Sequence, residues 1–117
     1  MENIKVIEYV TTAGRCPFKK WIDGIKDIQT KARIYRYVRS LSLGIFNNCK
    51  SVSEGVHELK IDFGAGYRVY FGNEGGTIVI LLCGGSKRTQ DKDIKLAQKY
   101  WAEYEKYARA QQKDYHQ

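Results

Sequence analysis

From residue 55 onward, hydrophobic and polar positions keep a period of two, then change to a helical period near residue 90. Within residues 57–63, Leu59, Ile61 and Phe63 share one face and Glu58, Lys60 and Asp62 the other, the pattern of a half-buried strand. Gly64-Ala65-Gly66 predicts a short hairpin loop, because glycine reaches positive φ without a side-chain clash. Residues 67–72 alternate again, with Tyr67, Val69 and Phe71 opposed to Arg68 and Tyr70. Asn73-Glu74-Gly75-Gly76 predicts the next turn. Residues 77–83 (TIVILLC) are apolar at every position, as in a strand buried on both faces. Such a sheet needs cover on both sides.

The remaining segments supply that cover. Residues 4–10 read as a first strand and 11–15 as a loop, after which Pro17 opens a short helix to about residue 25 that buries Phe18, Trp21 and Ile22. A longer helix begins at Asp27 or Thr30 and reaches about Gly44. Ile34, Val38, Leu41 and Ile45 cluster on one side of it, Arg33, Arg36 and Arg39 on the other. Asp27 and Lys31 have the spacing of a helical ion pair. Residues 47–53 are polar and read as a surface loop, and Gly84-Gly85-Ser86-Lys87-Arg88 as a flexible basic loop. The last helix starts near Thr89 or Asp91 and runs past Tyr107. Its inner stripe is Ile94, Ala97, Trp101, Tyr104 and Ala108, while Lys92, Lys95, Lys99 and Lys106 face away. Residues 111–117 are expected to fray. The order β-α-α-β-β-β-α over residues 1–117 predicts a single α+β domain: a small, mainly antiparallel sheet, an N-terminal helical hairpin and a C-terminal helix.

Charge adds a partner class to this picture. Lys and Arg total 20 against 13 Asp and Glu, a net charge of +7, which points to a polyanion or an acidic protein. Residues 15–50 alone hold nine basic and two acidic side chains, so the helical hairpin is the most basic region. No apolar run approaches the roughly 20 residues of a membrane span, and the N-terminal segment alternates as a strand rather than reading as a signal peptide. The expectation is a cytoplasmic protein with no membrane association. Cys16, Cys49 and Cys83 are widely spaced, with no Cys-x-x-Cys or Cys/His cluster, so neither a metal centre nor a disulfide framework is expected. Cys83 reads as core.

Lys60 and Arg68 fall on one face of adjacent strands, and the loop holding Lys87 and Arg88 can reach the same edge of the sheet. Tyr70 would add a stacking surface and a hydroxyl. Such a cluster suits a phosphodiester, because the planar guanidinium fork matches phosphate oxygens. Fixed cations would also stabilise the charge of an in-line attack by a ribose 2′-OH. The alternative is that Lys60, Arg68 and Lys87 merely solvate an exposed sheet face. His57 and Glu58 are adjacent on a strand and point apart, so they form no dyad, and His116 lies in the expected tail. Gly84-Gly85-Ser86-Lys87 lacks the spacing of a phosphate loop for nucleoside triphosphates.

With these residues in view, GVHELKIDFGAGYRVYF followed by TIVILLCGGSKRTQDKDI resembles the RelE/ParE superfamily of toxin–antitoxin toxins. It is most similar to the HigB-like addiction module killer branch, and PFKKWIDGIKDIQTKARI is similar to that branch's helical hairpin. The resemblance implies a RelE-like fold and a bacterial toxin neutralised by a cognate antitoxin, usually a helix-turn-helix DNA-binding protein. It further implies a ribosome-dependent mRNA endoribonuclease that needs no metal or other cofactor, with DNA gyrase as the alternative target of a ParE-like inhibitor. Carried over by position, Lys60, Arg68, Lys87 and Arg88 would be catalytic. Tyr70, Gln90, Arg33, Arg36 and Arg39 would bind RNA. Two departures stand out: Glu58 occupies the place of a second lysine, and no tyrosine opens the last helix, leaving Gln90, Asp93 and Tyr70 as the nearby groups.

Overall fold

The all-apolar run becomes strand β5 (Ile78–Ser86), and its position in the sheet explains its composition. It pairs in parallel with β1 (Lys5–Glu8) on one side and antiparallel with β4 (Tyr67–Glu74) on the other. Beyond β4 lie β3 (Val56–Ile61) and a short edge strand β2 (Cys49–Ser51), giving the order β1-β5-β4-β3-β2 in one mixed sheet. Helices α1 (Pro17–Asp23) and α2 (Ile28–Ser42) cover one face, and α3 (Gln90–Tyr115) covers the other. The structure, a computed structural model, describes residues 3–115, with side chains through Arg109.

The α+β class agrees with the sequence pattern; the sheet is richer than expected. Residues 47–53 contain β2, where Lys50 and Ser51 pair with Glu58 and His57. With β1 joining in parallel and the other three pairings antiparallel, the sheet is mixed.

Local chemistry sets the helix ends. Pro17 occupies the first turn of α1, where its missing N–H is not needed. Asp27 caps α2, accepting from the Thr30 backbone N–H at 3.2 Å and its hydroxyl at 2.6 Å. That capping role replaces the expected pairing with Lys31. Ile34, Val38 and Leu41 are buried, whereas Ile45 lies beyond the end of α2 and is exposed.

Beneath α1 and α2 the core is mainly apolar, with Thr30 buried beside it: Phe18, Ile22, Ile34 and Leu41 meet Leu59, Ile61, Val69, Phe71, Val79 and Leu81. Each such side chain contributes about 1.5–3 kcal/mol by leaving water. Beneath α3, Val56, Tyr70, Ile80, Leu82 and Cys83 meet Ala97 and Trp101.

A β-bulge reconciles the two faces. Tyr70 pairs with Cys83 but Phe71 with Leu81, so Leu82 is skipped and the alternation of β5 reverses. After the reversal Gly84 faces α1 and Gly85 faces α3. A Cβ at Gly84 would enter the ring of Trp21, and one at Gly85 would enter the carboxylate of Asp93. The glycine pair is therefore not a flexible loop. It is the end of β5, thinned so that both layers can approach the backbone.

Lys87–Thr89 form one 3₁₀ turn, in which the Thr89 hydroxyl accepts from the Ser86 N–H at 3.3 Å. Ile94, Ala97, Trp101 and Tyr104 of α3 pack on the sheet as the period predicts. Residues 111–115, expected to fray, have helical backbone, and His116 lies outside the described residues. Among the described residues no helix is long and apolar enough to cross a membrane.

Candidate functional site

One carbonyl gathers the predicted cations. The Gly66 oxygen, at the β3–β4 hairpin, accepts from Arg68 Nη1 at 2.7 Å and from the Lys87 backbone N–H at 2.9 Å. Gly66 has φ of +74°, a conformation glycine adopts freely, and this turns its carbonyl between the two donors. Lys60 is the register partner of Arg68 across the hairpin. Lys60, Arg68 and Lys87 thus converge at one end of the sheet, with Arg88 beside them in the 3₁₀ turn. Lys60, Lys87 and Arg88 are exposed.

Arg68 differs from the other three. It is only 6% exposed and lies against Glu58, itself 1% exposed, with Nε 3.6 Å from Glu58 Oε2. The same Oε2 accepts from the Tyr70 hydroxyl at 3.2 Å and from Gln90 Nε2 at 2.8 Å. Lys50 Nζ stands 3.7 Å from Oε1. A carboxylate this deeply buried requires such partners, since an unpaired buried charge is prohibitively costly. Glu58 therefore ties β2, β3, β4 and the first residue of α3 together.

This geometry corrects two expectations. Tyr70 offers no stacking surface: it is fully buried beneath α3, and burial together with Glu58 pushes its hydroxyl far above the ordinary tyrosine range, so it remains a donor. Gln90 reaches the site, but its side-chain amide is turned inward onto Glu58. Arg33, Arg36 and Arg39 belong to α2, on the opposite face of the sheet. Arg33 stacks 4.2 Å above the ring of Phe63 in the hairpin loop, while Arg36 and Arg39 are exposed.

Asp93 is buried and accepts from the Thr89 hydroxyl at 2.5 Å, joining the 3₁₀ turn to α3. The Cys83 thiol donates to the Asp93 carbonyl at 3.8 Å, and burial pushes it up to about 12. His57 stacks on Phe71 with ring centroids 5.4 Å apart, on the α1–α2 side. Among the described residues no group of His, Cys, Asp and Glu is gathered as metal ligands.

Lys50 and the buried state of Glu58 were missed by the sequence reading. A signal for Glu58 existed. Residues 77–83 demand cover on both faces, and Glu58 shares a face with Val56 and Arg68 on neighbouring strands. Any charge there had to be buried and paired.

These features define an α+β domain with exposed cations set around a buried carboxylate–guanidinium pair. No family model matches the sequence, and no solved structure matches the chain. A protein of Haemophilus influenzae, described as "Uncharacterized protein", is 51% identical over 80 residues, which span 68% of this chain and 81% of that one. The chain belongs to the same family as that protein.

Proposed function

We propose that this chain is the toxin of a type II toxin–antitoxin module, of the RelE/ParE kind and with a RelE-like fold. Its activity is that of a ribosome-dependent mRNA endoribonuclease. The observation that carries the reading is the convergence at Gly66, where one carbonyl holds Arg68 and Lys87 while the register sets Lys60 opposite Arg68. Exposed cations gathered at one end of the sheet suit a phosphodiester and would stabilise the negative charge that builds on phosphorus. In the reaction the ribose 2′-oxygen bonds to the adjacent phosphorus and loses its proton to a base. The bond from phosphorus to the 5′-oxygen breaks, that oxygen takes up a proton, and a 2′,3′-cyclic phosphate remains. Lys60, Lys87 and Arg88 contact the phosphate. The exposed Arg36 and Arg39 on the far helix give RNA a second anchoring surface. Neutralisation falls to a cognate antitoxin, a helix-turn-helix protein whose acidic segment covers the cations.

The test is expression in growing cells with a primer-extension map of mRNA ends. Wild type is expected to arrest growth and produce cut mRNA. Lys60→Ala combined with Lys87→Ala is expected to lower cleavage by roughly 10²-fold or more, the usual scale for losing electrostatic contacts at phosphorus. Full toxicity and cleavage in that double variant, at equal protein level, would remove the assignment.

A second reading has its own observation. Arg68 is already paired with Glu58, and the exposed residues are binders rather than proton carriers. That favours a ParE-like inhibitor of DNA gyrase, which would leave mRNA intact and change plasmid supercoiling in the same cells.

A further inference from the structure

We propose that Glu58 is a resident anion of the phosphate seat: its carboxylate occupies donors that a phosphate would use, so the fold as it stands masks its own site. The proposal rests on reading this end of the sheet as a phosphate site.

Four donors from three elements converge on one side chain. Tyr70 and Arg68 come from β4, Lys50 from β2 and Gln90 from α3. The two β4 donors are inflexible, since both are buried in a strand paired on each side. The other two are the movable walls. Lys50 is 67% exposed along its side chain on a three-residue edge strand, and Gln90 is the first residue of a helix entered through a 3₁₀ turn.

The fit of Glu58 is incomplete. Arg68 Nε is buried and, among the described residues, has no hydrogen-bond partner; its nearest carboxylate oxygen is 3.6 Å away. That distance holds charge against charge without a directed bond. A phosphate oxygen would supply the missing acceptor, and guanidinium binds phosphate and carboxylate through the same fork. A phosphate at Arg68 Nε would stand against the Glu58 carboxylate, like charge beside like charge at one guanidinium edge, so each weakens the hold of the other. Phosphate reaches Arg68 only when Gln90 lifts and Glu58 gives way.

Inorganic phosphate tests this without RNA or ribosome. The full chain, as wild type and as Glu58→Gln, is titrated with phosphate at constant ionic strength while its melting temperature is followed. Glutamine keeps the shape and an oxygen for Tyr70 but removes the charge. The variant is expected to respond at a phosphate concentration roughly tenfold or more below that of wild type, the scale of one charge-assisted hydrogen bond. Adding Arg68→Met to Glu58→Gln is expected to abolish the gain. A titration of Glu58→Gln that overlays wild type overturns the proposal.

Where Glu58→Gln does not fold, Gln90→Leu serves. It leaves the charge pair and the Tyr70 hydrogen bond in place and removes only the part-buried hydrogen bond from α3 to Glu58. A lowered midpoint supports the mask, and an unchanged one overturns it. Failure here leaves the nuclease reading intact, because that depends on the map of cut mRNA. Conversely, intact mRNA with a phosphate gain in Glu58→Gln would sink the nuclease and keep the mask.

Discussion

Beneath α1 and α2 the strands offer only hydrocarbon and aromatic rings, Leu59, Ile61, Val69, Phe71, Val79 and Leu81. Beneath α3 the same strands offer Val56, Ile80 and Leu82, but also Glu58 and Arg68. The first face is specified by alternation and volume alone, and similar apolar side chains would serve almost as well. The second is specified pair by pair, because every buried polar atom must find a partner as the helix settles. Both faces share one device: a tryptophan laid on a strand glycine, Trp21 on Gly84 and Trp101 on Gly72. What distinguishes them is charge, and the predicted cations converge at the charged end.

The strongest way to break the contrast is to strip the second face of its charges. Arg68→Met alone leaves the buried Glu58 without its buried cation, held only by exposed Lys50 and the hydrogen bonds from Tyr70 and Gln90, and is expected to lose about 3 kcal/mol in urea denaturation. Arg68→Met with Glu58→Leu is expected to recover part of that loss, because the buried charges go together while the buried Tyr70 hydroxyl is left without its acceptor. A double variant no more stable than the single one would mean that the two side chains do not act as a unit.

The tryptophan seats give the next largest effect. Gly84→Ala and Gly72→Ala each push a methyl group into an indole ring, and each is expected to lose about 1–3 kcal/mol by the same denaturation. Comparable losses would show that the two faces are packed to the same tolerance despite their different chemistry. A neutral Gly84→Ala would show that Trp21 yields where Trp101 does not.

The thiols leave stability at neutral pH untouched and act only in alkali. Burial raises the Cys83 thiol on the α3 face to about 12 and the Cys49 thiol to about 11, and raises Cys16 as well. A thiol raised in the folded state favours folding below the ordinary value of 9.0, and that contribution fades as pH rises toward the folded value. Stability is therefore expected to decline from about pH 9 to pH 12, by about 1.4 kcal/mol for each unit by which a thiol is raised. With a disulfide reagent at pH 8, partly exposed Cys16 is expected to react first and Cys83 only upon unfolding, as counted by released chromophore. Prompt reaction of Cys83 would mean that α3 lifts readily.

Much of this was legible in the chain. The faces of β3 and β4, the stripe Ile34, Val38 and Leu41, and the pairing of Lys60 with Arg68 follow from periods of two and 3.6. Strand β2 was not legible, because three residues carry no period and its partners were named only by the register. The bulge at Leu82 was hidden because an all-apolar run shows no alternation to interrupt. Gly84 and Gly85 read as a flexible loop, since sequence alone does not say that an indole and a carboxylate approach them from opposite sides. Glu58 was misread as an outward charge, although the buried strand β5 already implied that its face would be covered.

The parallel pairing of β1 with β5 joins Lys5 to Ile78 and Glu8 to Leu81, residues 73 positions apart in the chain. During synthesis β1 waits, with no strand to zip onto, until α1, α2 and the other strands have been made. Contacts so distant in sequence slow the final collapse. A nascent chain stopped before Ile78 also lacks Lys87 and Arg88. Such a chain has neither a finished sheet nor its full set of charges, so the order of translation delays the moment at which the charged end of the sheet is complete.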